Sequence, residues 1–234
     1  MPYDAGVDSA FDVERAETNV VAAAVPGIDV SHYQPAIDWA TVVRAGFQYC
    51  FIKATEGSAS VDRSFARHWE DARKAGLIRG AYHFFRPAVP VAPQASLFLR
   101  TVKRLQPGDL PPVLDLEVPQ DWAGILPAER SGLALSWLET VEHQLGATPI
   151  VYLSPAFASD ILENTAALAR YPVWLAHYTM AETPVVPKPW SSWTFWQHSN
   201  GRTPGVTVPV DLNRFNGSRD DLKALTVPGP PGAV

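Results

Sequence analysis

Cysteine is almost missing from this chain: Cys50 is the only one in 234 residues, so no intramolecular disulfide and no thiolate metal cluster can form. It sits in the apolar run FQYCFIKA, which reads as a buried, inert thiol rather than a nucleophile. Long apolar runs are lacking too, and no segment is predicted to span a bilayer. The first residues lack the basic-then-apolar order of a secretory leader, because VVAAAV follows acids; no signal peptide is expected. Basic residues are nowhere concentrated enough to suggest a nucleic-acid partner. Neither G-x-G-x-x-G after the first strand nor a Walker-type phosphate loop is present, and no cofactor is expected.

What is present divides unevenly. Residues 1–25 hold Asp4, Asp8, Asp12, Glu14 and Glu17 against Arg15 alone, so most of the net charge of −5 lies there and the body is nearly neutral. The sequence is thus read as an acidic extension over 1–25, helical around 11–24, a folded body over 26–226 opened by Pro26-Gly27, and a Pro/Gly tail over 227–234. With 47% hydrophobic and 18% charged residues, the body can bury a sizeable core.

Along the body, short β-rich runs alternate with helical periodicity. Strands are predicted at 27–31, 47–55, 77–85, 112–118, 149–154, 171–179, 192–199 and 208–215. Helices are predicted at 35–45, 62–75, 94–105, 128–145, 155–164 and 218–225. Nearly all-apolar strands joined by helical crossovers predict a parallel sheet covered on both faces. Eight such strands with five or six helices predict an α/β fold closed into an irregular (β/α) barrel, TIM-barrel-like and short of helices in its last quarter.

The stretch PVLDLEV, 112–118, organises the functional reading. Alternation puts Asp115 and Glu117 on one strand face, their Cα atoms about 6.5–7 Å apart. Two neighbouring acids cannot both ionise freely, which supplies one proton donor and one anion together, the equipment of glycosidic cleavage. Asp-x-Glu is a common tripeptide and usually a solvated strand edge; the barrel changes its weight. Asp29 and Asp211, in the first and last strands, should meet each other at the mouth and face Asp115 and Glu117. Four acids in strand interiors are hard to account for structurally.

GIDVSHYQ (27–34), FIKATEG (51–57), GAYHFFR (80–86), VLDLEV (113–118), WLAHYT (174–179), WQHS (196–199) and VDLNRFNG (210–217) resemble, in order, the motif series of glycoside hydrolase family 25, the Chalaropsis-type lysozymes. The resemblance implies an N-acetylmuramidase that cuts the β-1,4 bond between N-acetylmuramic acid and N-acetylglucosamine in peptidoglycan. It assigns the acid to Glu117, its partner to Asp115, and two further aspartates to Asp29 and Asp211.

On that reading Glu117 protonates the glycosidic oxygen, while Asp115 stays ionised. Asp115 either orients the substrate's 2-acetamido group or acts directly as nucleophile or base; the sequence leaves both open. Tyr33, Tyr82, Trp174 and Tyr178 are candidates for sugar stacking, Gln197 for a polar contact, and Lys53 and Glu56 for the rim. The partner would be peptidoglycan glycan strands and the place of action the cell wall, with residues 1–25 a candidate contact for an export or delivery partner.

Two competing classes are a non-catalytic glycan-binding barrel and a metal-dependent carbohydrate deacetylase using some of His32, His68, His83, His143, His177 and His198. The first is disfavoured by the retained Glu117. The second is disfavoured because no H-x-H or H-x-x-x-H pair occurs, so no metal is expected.

Overall fold

The computed structural model describes residues 24–229; the expected helix around 11–24, but for its last position, and most of the Pro/Gly tail lie outside them. Eight strands close a barrel: β1 (Val25–Val30), β2 (Tyr49–Glu56), β4 (Ile78–Phe84), β5 (Val113–Asp115), β6 (Ile150–Leu153), β7 (Val173–Ala176), β8 (Phe195–Gly201) and β9 (Val210–Phe215). The ring is shut where β1 pairs with both β9 and β2. A ninth strand, β3 (Ser60–Val61), adds a two-residue antiparallel ladder to β2 at the rim and was too short to read from alternation.

One direction differs from expectation. All barrel pairings are parallel except those of β9, which runs antiparallel to β1 and to β8. The segment 202–209 that joins β8 to β9 is too short for a parallel crossover, which takes about a dozen residues or more. Asp211 therefore reaches the mouth from the beginning of its strand, not from the end, and lies directly opposite Asp29 in the ladder.

Among the described residues six helices pack on the barrel: α1 (Trp39–Arg44), α2 (Phe65–Lys74), α3 (Val91–Val102), α4 (Pro127–Leu145), α5 (Pro155–Asp160) and α6 (Arg219–Ala224). Their limits follow local chemistry. α1 starts four residues later than expected because Asp38 caps it, accepting from the Thr41 N–H at 3.1 Å. α3 starts three residues earlier, since Pro93 fits a first turn whose N–H groups need no partner, and it stops at Lys103, where φ is 65°. α4 ends on Gly146 in the left-handed conformation. α5 stops at Asp160, and Glu163 and Asn164 turn to positive φ before the next strand.

The core has two layers. Outward strand residues such as Ile28, Ile52, Ala81, Leu114 and Val151 pack under the helices. Inward ones fill the lumen with Tyr49, Phe51, Val113, Ile150, Trp174, Phe195 and Phe215, each worth roughly 1.5–3 kcal/mol on burial. Glycine makes room for these rings: a Cβ on Gly27 would stand 2.3 Å from the Tyr49 ring, and one on Gly80 would stand 2.6 Å from Phe51. The lumen is thus a solid floor of aromatics, with the polar residues stacked above it.

Candidate active site

The β5 ladder ends at Asp115, three residues short of the expected strand. Alternation continues past it, because the Leu116 N–H still donates to the Tyr152 carbonyl at 2.9 Å and Leu116 is buried outward. Glu117 consequently faces the same cleft as Asp115 before Val118 turns left-handed at φ 57° and the chain leaves the barrel. Asp29, Asp115, Glu117 and Asp211 together line one open cleft of about 450 Å³ at the mouth.

Each acid is held differently. Asp29 Oδ2 accepts from Asn213 Nδ2 at 2.7 Å and from Gln197 Nε2 at 2.9 Å. Those amides are themselves fixed, since Asn213 Oδ1 accepts from the Trp174 indole N–H at 2.8 Å and Gln197 Oε1 from the Tyr152 hydroxyl at 3.0 Å. Asp211 Oδ1 accepts from the Tyr178 hydroxyl at 2.7 Å and from Asn200 Nδ2 at 2.8 Å. Asp115 is different: its Oδ1 is buried and has no hydrogen-bond donor among the described residues.

Burial and mutual repulsion push these carboxyls upward. Asp29 rises to about 7, driven by desolvation and then by Asp211, against the pull of Asn213 and Gln197. Asp115 is held well above the usual carboxylate range by desolvation and by the Glu117 charge. Desolvation also raises Glu117, while Lys53 and Arg86 draw it back. Both members of the pair are pushed the same way, so together they hold a proton to higher pH than solvated carboxylates would.

The other site candidates separate. Tyr82, Trp174, Tyr178 and Gln197 line the acid cleft, joined by Tyr152 and Ala176, which the sequence reading did not single out. Trp174 does not offer an open sugar platform. It is 2% exposed, stacked on Phe51 at 4.4 Å and met edge-on by Tyr152. Tyr178, 54% exposed, is the open aromatic of this cleft.

Lys53 and Glu56 line a neighbouring cavity instead, and Tyr33 is exposed and lines neither, with its ring 4.2 Å from that of His32. Lys53 Nζ donates to Glu56 Oε2 at 2.6 Å, and Glu56 Oε1 accepts from Arg86 Nη2 at 2.6 Å. The Phe84 ring lies beneath both cations.

Behind this rim a buried relay fixes the loop after β4. Gln94 donates to the carbonyls of Arg86 and Val89, so its Oε1 faces the Arg86 N–H and His83 Nε2. His83 must then donate from Nε2 and accept from the Thr55 hydroxyl at Nδ1. Burial pushes its pKa down to about 4, so it stays a neutral packing element stacked on Trp137. Among the described residues, no three His, Cys, Asp or Glu side chains are grouped so as to hold a metal ion.

A comparison with known proteins matches residues 28–206 to the family model for glycosyl hydrolases family 25. The chain is 42% identical to YegX of Escherichia coli K12, an uncharacterised protein, over 86% of this chain and 73% of that one. It is 35% identical to lysozyme M1 of Streptomyces globisporus, over 91% of this chain and 74% of that one. The crystal structure of a bacterial lysozyme from Streptomyces coelicolor superposes with a TM-score of 0.81 at 33% identity, covering 87% of this chain and 97% of that one. On a closed barrel whose mouth gathers four acids, these likenesses make the chain a member of glycosyl hydrolase family 25, and a glycoside hydrolase.

Proposed function

We propose that the protein is an N-acetylmuramidase that cuts the β-1,4 bond from N-acetylmuramic acid to N-acetylglucosamine in peptidoglycan, with Glu117 as the proton donor. The named relatives include lysozymes, which supports peptidoglycan as the substrate class. The observation that carries the reading is the pair itself. Glu117 stands at the edge of the cleft with a raised pKa, beside Asp115, whose buried Oδ1 lacks a donor.

Glu117 gives its proton to the leaving glycosidic oxygen as the bond to the anomeric carbon breaks. The acetamido carbonyl oxygen of the muramic acid ring attacks that carbon, and its N–H supplies the donor that Asp115 Oδ1 lacks. Positive charge then develops on the ring and acetamido group, which favours ionised Asp115 just as the proton leaves Glu117. The Glu117 carboxylate next deprotonates a water that opens the intermediate. Asp29 and Asp211, cross-linked through Gln197, Asn213, Tyr178 and Asn200, keep the cleft negative and fixed. The substrate lies in the wall, so the enzyme acts there. Residues 26–226 form the catalytic body and 1–25 are a candidate contact for export or delivery.

Two measurements test this. Mass spectrometry of released muropeptides should find N-acetylmuramic acid at the new reducing ends; N-acetylglucosamine there would refute the bond assignment. Glu117→Gln should lower turnover by at least about 10²-fold with the fold retained. Near-normal lysis by that variant would refute the donor assignment.

A further inference from the structure

Two further cavities adjoin the acid cleft on the side of β2 and β3. The nearer, of about 200 Å³, is bounded by His32, Lys53, Glu56 and Arg63. The farther, of about 510 Å³, shares Val61, Asp62 and Arg63 with the first and runs past Phe65 and Trp69 to Lys103 and Arg104. Together they form one groove leading away from the four acids, with apolar walls and a basic lip.

The charges in this groove are not equally available. Lys53 is committed to Glu56. The Asp62 carboxylate accepts from His32 Nδ1 at 2.7 Å, the His32 N–H at 2.9 Å and the Ser64 N–H at 2.8 Å. Arg63, Lys103 and Arg104 are exposed, and among the described residues none forms an ion pair. The free balance of the groove is therefore cationic, on a chain whose net charge is −5.

We propose that this groove seats the acidic stem peptide that branches from the substrate's muramic acid ring. The inference rests on the muramidase reading. In that reaction the ring attacked at its anomeric carbon is muramic acid, whose lactyl ether carries the peptide, so the branch starts within one sugar's width of Glu117. The groove opens beside the cleft: Lys53, which lines its first cavity, is the ladder partner of Tyr82, which lines the acid cleft. A stem peptide carries both small alanine methyls and free carboxylates. The methyls match Val61, Phe65 and Trp69, and the carboxylates match Arg63 and Arg104. Charge complementarity and continuity with the acid cleft thus select the same occupant.

The experiment compares glycan strands that bear stem peptides with strands stripped of them by an amidase. Binding is measured with the full-length Glu117→Gln protein, so that affinity is read apart from turnover. Stem-bearing strands should bind about tenfold more tightly, the order set by two exposed charge contacts with their apolar neighbours. Adding Arg63→Glu and Arg104→Glu should bring the two affinities together, while Arg63→Lys and Arg104→Lys should keep the preference. No preference in the parent, or a preference that survives both charge reversals, overturns the inference. Muropeptide release by the unmodified protein is scored separately. Absence of muramic acid reducing ends with the binding preference intact sinks the muramidase reading and leaves the peptide groove standing.

Discussion

Replacing Asp29 by Asn should make the protein more stable, and by an amount that depends on pH. The buried carboxyl has its pKa raised from 3.8 to about 7. Between about pH 4 and pH 7 the native state keeps a proton that the unfolded chain has released. Stability from this group therefore falls as pH climbs through that window, and is level above it. Three pKa units correspond to about 4 kcal/mol, at roughly 1.4 kcal/mol per unit. An Asn at 29 can present its amide oxygen to both Gln197 and Asn213, so the two hydrogen bonds survive while the buried charge disappears. The stability gap between variant and parent should thus be near zero at pH 4 and widen to about 4 kcal/mol at pH 8, which is on the order of 10 °C in Tm. Urea unfolding at several pH values measures it directly. A gap that does not change with pH would refute the claim that Asp29 carries a strained, ionisable proton.

Lys53 draws both Asp115 and Glu117 downward. Lys53→Met should therefore move the alkaline limb of kcat/KM, where the donor loses its proton, to higher pH; an unmoved limb would disconnect this cation from the pair. Gly80→Ala would set a methyl 2.6 Å from the Phe51 ring and 3.1 Å from Leu110 Cβ. Overpacking of that kind should cost about 1–3 kcal/mol in denaturant unfolding, and an unchanged midpoint would mean that the lumen floor yields more easily than its packing implies.

Much of the barrel is legible in the sequence because its strands alternate between helix-facing aliphatics and lumen-facing residues, while the helices carry clear stops such as Gly146. The direction of β9 is less legible: eight strands in series suggest a uniform parallel ring, and only the short 202–209 segment opposes it. The acids were readable because charge inside a strand is costly and so conspicuous. Tyr152 was readable in principle, since it shares a face with Ile150, but a tyrosine in a strand carries no such alarm. Trp174 shows the converse. Its motif position invites a stacking role, yet whether an indole face is open or covered is decided by Phe51, more than a hundred residues away in the chain. Lys53 and Glu56 lie on either side of one register shift in β2, between Lys53 and Thr55, whose effect on where they open no periodicity can report.

The reversed last strand has a further consequence for how the molecule meets a polymer far larger than itself. β1 begins at the end of the ring remote from the acids, and β9, descending, returns the chain to that same end, where Leu222 of α6 closes the lumen beside Val25 and Phe215. Both ends of the described body, at Val25 and just past α6, therefore lie underneath, on the side of the barrel away from the acids. An attachment made through either end of that body starts from the face opposite the cutting edge, which turns the acids toward the polymer.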